Sequence, residues 1–317
     1  MKKIISLLLT ATMVLSLAAC GNNGSQDSGS NTSDPGGESG GVKYSQGVTD
    51  TTVLIANSAA TSGSYAPVGV PFNAGIQAYL DMVNAEGGID GRTIEFLHTD
   101  DEFDPVKGKA ALQNFVEDEK VFAIVGHFGT PVVGATIEDL KSYGIPAVYF
   151  ATGIGQLYAQ NATTNEEGYN IFPVQPIYTT EGQIMVARGV GTFDATKIGI
   201  IYTNDDAGKD MLTGAEEKCK ELGIDYVAEQ VAAGSADVSA AVTSIKNSGA
   251  DFIICAAIQA TMPTIVKELA AQGNTAPVIT TYVNVSSAIP PLVADDIAGK
   301  FDVYGNGWVA YDDEEAL

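Results

Sequence analysis

Short apolar runs and longer amphipathic segments alternate along the chain after residue 48. The run Thr52–Ala56 predicts a buried strand, and apolar residues at helical spacing follow it as far as Gly87-Gly88, a pair typical of a helix end. Another helix is predicted after Asp104-Pro105, because aspartate is a preferred N-cap and proline fits the first turn. The other elements predicted in this half are strands over 93–97, 121–125 and 147–150 and helices over 105–118 and 131–143.

The alternation begins again after residue 178. The elements predicted there are helices over 180–189, 209–222, 238–247 and 263–271 and strands over 198–202, 226–231, 252–256 and 278–281. This repetition predicts an α/β fold with two doubly wound parallel-sheet lobes and a cleft at the carboxyl ends of their strands. The segment 169–178, with Pro173 and Pro176, is predicted to cross between the lobes, and a second crossover is predicted near 299–308.

Composition narrows the class of protein. The 317 residues include 16 Lys and Arg against 39 Asp and Glu, a net charge of −23, so a basic surface for nucleic acid is not expected. The hydrophobic fraction of 45% is that of a packed chain and not of a disordered one. Cys219 belongs to a charged helix and Cys255 to an apolar strand; since a helix packs about 10 Å from its neighbour and a disulfide needs Cα atoms within roughly 7 Å, two free thiols are expected.

The first residues have the pattern of a secretory signal. Two lysines precede an apolar run, and small residues stand before the cysteine in Leu17-Ala18-Ala19-Cys20. This sequence resembles the lipobox of bacterial lipoproteins, which implies cleavage before Cys20 and a lipid anchor on its sulfur. Residues 1–19 are therefore predicted to be a signal peptide, and 20–47 the lipidated cysteine and a flexible tether rich in Gly, Ser and Asn. The expected location is extracytoplasmic, at the cell membrane.

Residues that could catalyse a reaction or bind a cofactor form no recognisable arrangement in the sequence. Gly153-Ile154-Gly155 lacks the third glycine of a dinucleotide-binding loop, because Tyr158 stands in its place. His98 and His127 have no cysteine or carboxylate at metal-ligand spacing. His98 is interpreted as a polar residue at a strand end and His127 as a loop residue lining the cleft. The sequence predicts no enzyme activity, no cofactor and no metal site.

The acidic run Asp100–Asp104 has some features of a calcium-binding loop. Pro105 takes the glycine position of such a loop, and Leu112 lies near the place of its final glutamate. A solvated turn that caps the following helix is the preferred interpretation.

The loop Gly126–Pro131 is the most informative part of the sequence. It leaves an apolar strand and enters a helix, with Thr130 predicted as the N-cap and Pro131 in the first turn. Backbone N–H groups, the positive end of the helix dipole and a hydroxyl at such a helix start suit an anionic ligand. The alternative, that Thr130 only caps its own helix, fits these residues equally well. The loop Ala151–Gly153 follows the next strand at the same sheet edge, which favours a ligand site.

Four motifs in the order of the chain resemble the Leu/Ile/Val-binding type of periplasmic binding protein. They are Asn84–Arg92, Asp100–Pro105, Ala123–His127 and Gly144–Pro146. The resemblance implies two Rossmann-like lobes, joined by a hinge, that close on a small polar solute and deliver it to an ABC permease and its ATPase. A second possibility is a sensor partner, in which the same lobes signal to a membrane receptor or kinase. The sequence does not distinguish the two.

The resemblance also implies an order of domains. Lobe 1 is expected over 48–172 and lobe 2 over 173–300. Residues 301–317 are expected to form the second crossover and to start the return to lobe 1, with further helices implied after Leu317.

The resemblance also implies ligand-binding residues, in loops of this chain that match the family's binding loops. They are Ser62, Gly63, Phe128, Gly129, Thr130, Ala151, Thr152, Gly153, Asp206, Ala207 and Tyr282. Ala207 stands where the family commonly has an aromatic residue over the ligand side chain, and Tyr282 stands where the family has the acid that pairs with the ligand ammonium. A phenol cannot neutralise an ammonium. A small carboxylate or amide whose nonpolar part lies against Tyr282 is therefore predicted, unless Asp205 or Asp206 replaces the acid and an amino acid is bound.

Overall fold

The structure is a computed structural model that describes residues 44–158, 164–165 and 168–307. The predicted signal peptide, the predicted lipidation site Cys20 and most of the tether lie outside these residues. None of the described helices is both long and apolar enough to cross a membrane.

The first lobe is built on a parallel sheet. Its elements are β1 (Thr52–Ala59), α1 (Ala66–Ala85), β2 (Thr93–Asp100), α2 (Pro105–Gln113), β3 (Ala123–Val125), α3 (Thr130–Tyr143), β4 (Ala147–Val148), the antiparallel pair β5 (Thr164–Asn165) and β6 (Gly168–Tyr169), and β7 (Ile171–Phe172). The five strands of the sheet have the order β2-β1-β3-β4-β7. All four of its strand pairings are parallel.

The second lobe repeats this architecture. Its elements are α4 (Tyr178–Phe193), β8 (Lys197–Thr203), α5 (Asp206–Leu222), β9 (Asp225–Val231), α6 (Ser239–Ser248), β10 (Phe252–Ala256), α7 (Met262–Ala271), β11 (Val278–Thr280), α8 (Pro290–Ile297) and β12 (Val303–Gly305). The five parallel strands have the order β12-β11-β10-β8-β9. Two doubly wound parallel sheets confirm the predicted fold class.

Core packing on both faces of the second sheet explains why β10 is apolar throughout. Ile253 and Cys255 face one buried cluster, and Ile254 faces the other. A parallel strand covered on both faces has no solvent side, so its sequence does not alternate. Cys219 belongs to the second of these clusters, and both cysteines are buried free thiols on opposite faces of the sheet.

Two predicted crossovers contain strands. Ile171–Phe172 pairs with β4, so the segment that joins the two sheets begins at residue 173 and ends at α4. Val303–Gly305 pairs with β11 and forms the edge of the second sheet, where the second crossover was predicted. The last part of that predicted crossover, from residue 308, lies outside the described residues. Proline and glycine identified these segments as connections, but the backbone hydrogen bonds of such short strands leave no pattern in the sequence.

The acidic run at the end of β2 is only partly a solvated turn. Asp104 caps α2 as predicted, because its Oδ1 accepts the backbone N–H groups of Val106 at 2.7 Å and Lys107 at 3.2 Å. Asp101, in contrast, is fully buried, and burial raises the pKa of its carboxyl to about 6. Its Oδ1 accepts the N–H of Phe103 at 2.9 Å, which turns the Phe103 ring toward the other lobe's core.

His127 is buried behind its loop and does not line the cleft, contrary to the sequence interpretation. Its Nδ1 lies 3.3 Å from Ser58 Oγ and its Nε2 lies 3.0 Å from Thr136 Oγ1. Burial lowers the pKa of the imidazole to about 4, so the ring is neutral. Its contacts with Ser58 and Thr136 fix the loop that starts at Gly126 to β1 and α3. His98 is within β2, where its Nδ1 lies 2.8 Å from Asn73 Nδ2.

Candidate functional site

A cavity of about 320 Å³ lies at the carboxyl ends of the strands, between the two lobes. The first lobe contributes Val68, Phe72, Phe103, Phe128, Gly129, Thr130, Tyr149 and Ala151 to its wall. The connecting segment and the second lobe contribute Gln175, Tyr178, Ile258, Gln259, Tyr282, Val283, Val285 and Ser286. None of these described wall residues carries a formal charge. The volume suits a small solute, and the wall suits one with an apolar body.

Aromatic rings cover much of this wall. The Phe72 ring lies parallel to that of Tyr149 at a centroid distance of 5.9 Å, and tilted against that of Phe128 at 5.7 Å. On the other side, the rings of Tyr178 and Tyr282 stack at 5.8 Å. Rings in such packed pairs keep fixed positions and offer flat faces. The cavity can therefore hold a planar or branched apolar group between two aromatic surfaces.

The start of α3 forms the polar part of the first-lobe wall, but Thr130 is not its N-cap. The N-cap is Gly129, with φ of +92°, a backbone conformation that glycine adopts without strain. Thr130 is the first helical residue, and its buried Oγ1 lies 2.8 Å from Thr152 Oγ1. Thr152 Oγ1 in turn accepts the N–H of Ile154 at 3.1 Å. The two hydroxyls thus tie the loops after β3 and β4 together.

Gly153 is the point at which three parts of the chain meet. A Cβ atom at this position would lie 2.2 Å from the carbonyl oxygen of Pro176 and 2.6 Å from the hydroxyl oxygen of Tyr282. The carbonyl of Gly153 also accepts the N–H of Tyr178 at 2.9 Å. The loop after β4 therefore touches both the connecting segment and the second lobe, and only glycine fits there.

Tyr282 presents its ring to the cavity and turns its hydroxyl toward the connecting segment. The hydroxyl donates to the carbonyl of Pro176, at 3.1 Å, or to Oε1 of Gln175, at 3.2 Å. Burial raises the pKa of the phenol, so the group is neutral. Where the resemblance implies an acid, this chain offers an aromatic face without a negative charge.

Glu181 accepts a hydrogen bond from the backbone of Tyr282, and nothing in the sequence indicated this role. The side chain is 2% exposed, although it belongs to an amphipathic helix. Its carboxylate accepts the N–H of Tyr282 at 2.7 Å, the hydroxyl of Thr281 at 2.6 Å and the Asn306 amide at 3.2 Å. Burial raises the pKa of Glu181 to about 7 against the opposing effect of these hydrogen bonds. Glu181 does not line the cavity. Its hydrogen bonds position Tyr282, which does.

The structure divides the ligand-binding residues implied by the family resemblance into three groups. Phe128, Gly129, Thr130, Ala151 and Tyr282 line the cavity. Thr152 and Gly153 lie directly behind it, as described above. The remaining four, Ser62, Gly63, Asp206 and Ala207, are not among the lining residues.

Local contacts account for the four residues outside the wall. Ser62 is exposed, and its hydroxyl pairs with the Asp100 carboxylate. Ala207 is fully buried in the core of the second lobe. Asp206 is the exposed first residue of α5, and its neighbour Asp205 caps that helix by accepting the N–H of Gly208 at 2.9 Å. Neither aspartate replaces the family's acid at the wall.

The lobes also touch beside the cavity. Asp210 on α5 accepts the backbone N–H of Gly155, in the first lobe, at 2.7 Å. The rings of Tyr65 and Phe103 stack at 3.6 Å and pack against the second lobe's core. Burial raises the pKa of the Tyr65 phenol to about 12, and the nearby Asp205 adds to this shift. These contacts hold the two lobes close around the cavity.

Two α/β lobes that enclose a solute-sized cavity at their strand ends define the architecture of a bilobed solute-binding protein. The sequence matches the family model described as periplasmic binding protein over residues 52–314. The chain therefore belongs to this family and, as the four motifs predicted, to its Leu/Ile/Val-binding kind. Membership implies an extracytoplasmic location.

Similar proteins agree with this assignment. A Leu/Ile/Val-binding protein homolog 2 from Brucella abortus is 24% identical over 255 residues, which cover 80% of this chain and 67% of the relative. Two solved structures share the fold. The fatty acid ABC transporter substrate-binding protein from Thermomonospora curvata has a TM-score of 0.68 at 22% identity, covering 84% of this chain and 66% of that one. The branched-chain amino acid transporter substrate-binding protein LivJ from Streptococcus pneumoniae, in complex with isoleucine, has a TM-score of 0.69 at 23% identity. This match covers 79% of this chain and 70% of that one.

The chain spans about two thirds of the length of these relatives. They are described as binding proteins, which supports the prediction that this chain is not an enzyme.

Proposed function

We propose that this chain is an extracytoplasmic receptor that captures a small carboxylate or amide between its lobes and delivers it to an ABC permease and its ATPase. The observation that carries the proposal is the enclosed, largely aromatic cavity at the strand ends of two lobes. Its polar part is the start of α3, where backbone N–H groups and the positive helix end favour an anionic or amide oxygen. The apolar part of the solute lies against Tyr282.

A thermal-shift screen of small carboxylates, amides and amino acids tests this function. Binding to the folded state raises apparent stability by mass action, by about 2.7 kcal/mol at a ligand concentration 100 times the dissociation constant. We expect a shift with at least one carboxylate or amide, and none of the shifting compounds should be chemically converted when the mixture is examined by mass spectrometry. A screen without any shift argues against a receptor.

Replacing Thr130 by valine is expected to weaken binding of a carboxylate found in that screen by about 1.5–3 kcal/mol, the scale of a hydrogen bond to a charged group. Valine keeps the shape of the buried side chain and removes only its hydroxyl. Titration calorimetry measures the change, and Thr130→Ser, which retains the hydroxyl, is the matched control. Equal affinities for wild type and Thr130→Val would limit Thr130 to its contact with Thr152.

Replacing Asp210 by alanine is expected to weaken ligand binding by about 1–2 kcal/mol, roughly 5- to 30-fold. The carboxylate accepts a backbone N–H from the opposite lobe, so its loss disfavours the arrangement in which the lobes enclose the cavity. Calorimetry measures the affinity, and small-angle X-ray scattering measures the lobe separation. The exposed neighbour Lys209 provides the control, since Lys209→Ala removes a charge from the same helix but no contact between lobes. Matching affinities in the two variants would show that Asp210 has no part in closure.

We also propose that residues 1–19 are cleaved off, that Cys20 carries a lipid anchor and that residues 20–47 form the tether. It rests on the lipobox-like Leu17-Ala18-Ala19-Cys20 and on the extracytoplasmic family. The full chain expressed in a bacterium should partition into detergent, and mass spectrometry should find that it begins at Cys20 and carries a lipid there. Cys20→Ala should show neither the cleavage nor the lipid. An unmodified Cys20 in the mature wild-type protein would contradict the anchor.

A further inference from the structure

One amide oxygen in the cavity wall has no hydrogen-bond partner. It is Oε1 of Gln259, a residue that lies in the turn between β10 and α7 and is only 9% exposed. Buried polar atoms in folded proteins are nearly always paired, because leaving one unpaired costs about 1–3 kcal/mol. The oxygen lacks a donor among the described residues, and Gln259 is one of the residues of the cavity wall. A ligand in the cavity can supply the missing donor.

The turn that carries Gln259 is held in a strained conformation. Its φ is +36°, which is sterically costly for a residue with a side chain. Asn284, itself 3% exposed, maintains this conformation: its Oδ1 accepts the N–H of Gln259 at 2.6 Å, and its Nδ2 donates to the carbonyl of Ala257 at 2.8 Å. Strain that neighbouring contacts enforce in this way is typical of ligand sites. The Gln259 carboxamide is thus presented from a rigid turn.

The chemistry around Gln259 decides which donor fits. The other carboxamide in the wall, that of Gln175, has a donor within reach, because the Tyr282 hydroxyl lies 3.2 Å from its Oε1. No wall residue described in the structure carries a negative charge that could pair with a cation. An ammonium group enclosed there would lose its hydration without gaining a counter-charge, at a cost of several kcal/mol. A neutral hydroxyl or amide N–H has no such cost.

We propose that Gln259 is the specificity-determining residue of the second lobe, and that its Oε1 accepts a hydrogen bond from an uncharged donor, a hydroxyl or an amide N–H, on the bound solute. This inference rests on the proposed function and narrows its substrate class to apolar carboxylates or amides that carry a neutral donor. The start of α3 binds the anionic or carbonyl end, and Gln259 binds the donor.

Matched probes test the role of Gln259 with the full chain. The pairs are phenylacetate with 4-hydroxyphenylacetate, and 4-methylpentanoate with 2-hydroxy-4-methylpentanoate; leucine is the ammonium probe. In at least one pair we expect the hydroxylated member to bind about tenfold more tightly, the upper scale of one neutral hydrogen bond. In Gln259→Met, which keeps the length of the side chain, the two members should bind equally. Gln175→Met is the matched control and should weaken both members alike, so that the tenfold ratio persists.

A second variant tests whether Gln259 contacts the donor group of the solute, by placing a negative charge at this position. Gln259→Glu keeps an acceptor and adds a negative charge, so it should bind leucine at least tenfold more tightly than wild type and both acids of each pair more weakly. The hydroxyl-dependent ratio surviving in Gln259→Met, or an absent ratio in wild type, overturns the inference. Leucine binding wild type more tightly than any acid also overturns it, while the proposed receptor function stands. No binding by any probe, leucine included, overturns the inference together with the solute class from which it was drawn.

Discussion

Gly153→Ala should abolish tight ligand binding and lower the free energy of unfolding by about 3 kcal/mol, the upper range for overpacking a close-packed site. The added methyl would lie 2.2 Å from the carbonyl oxygen of Pro176 and 2.6 Å from the Tyr282 hydroxyl. A backbone oxygen cannot rotate away as a side chain can, so the loop after β4 must separate from the connecting segment. That movement also pulls apart the wall that Tyr178 and Tyr282 form.

Urea unfolding and titration calorimetry measure the two effects. Gly75→Ala is the matched control, since Gly75 is exposed in the middle of α1 and no atom outside its own stretch of the helix lies within 4 Å of its Cβ position. Alanine there should stabilise the protein by about 0.5–1 kcal/mol, because it reduces the freedom of the unfolded chain. Wild-type affinity in Gly153→Ala would mean that the loop tolerates a side chain and that the close approach has no role in the site.

Glu181→Gln should flatten the dependence of stability on pH. The pKa of Glu181 is raised from 4.5 in the unfolded chain to about 7 in the folded protein. The folded state therefore keeps a proton that the unfolded chain has lost, so the stability present below pH 4.5 is lost as pH rises toward and through 7. For a shift of this size the loss by pH 8 is about 3 kcal/mol. Glutamine does not titrate, and the variant should not show this loss.

Unfolding in urea at intervals between pH 5 and 8 measures this difference directly. Asp101, whose raised pKa acts in the same direction, and His127, whose lowered pKa acts in the opposite direction, are present in both proteins and cancel in the comparison. Glu117→Gln is the control, because Glu117 is a solvent-accessible carboxylate whose pKa is lowered by its hydrogen bond from Tyr143. Parallel pH curves for wild type and Glu181→Gln would show that Glu181 does not ionise in this range.

The sequence predicts those parts of the candidate site that depend on residues close together in the chain. The loops after β3 and β4 could be placed at one sheet edge, because the carboxyl ends of neighbouring parallel strands meet there. Five residues implied by the family resemblance line the cavity, and two more lie behind it. The N-cap of α3 was assigned one residue too late, since threonine is the commoner capping residue, whereas the φ of +92° at Gly129 is visible only in the structure.

The functional residues that sequence reasoning missed are those whose surroundings come from distant parts of the chain. Gln259 has no distinguishing neighbours in sequence, and its rigid turn depends on Asn284, 25 positions away. Glu181 has the appearance of an ordinary solvent-facing acid on α4, yet its hydrogen-bond partners lie about 100 positions further along. The burial of Asp101 could not be predicted, because the residues around it in sequence are also acidic.

Sequence by itself determined the fold class, the alternation of elements, the family and the sheet edge at which the cavity lies. These depend on periodicity and on local motifs, which are properties of neighbouring residues. Only the tertiary structure decided which carboxylates are buried, which glycine allows the lobes to meet and which carboxamide oxygen of the cavity wall lacks a partner. Those properties depend on burial and on contacts between segments far apart in the chain, because the same side chain changes its pKa and its hydrogen-bonding needs when it is removed from water.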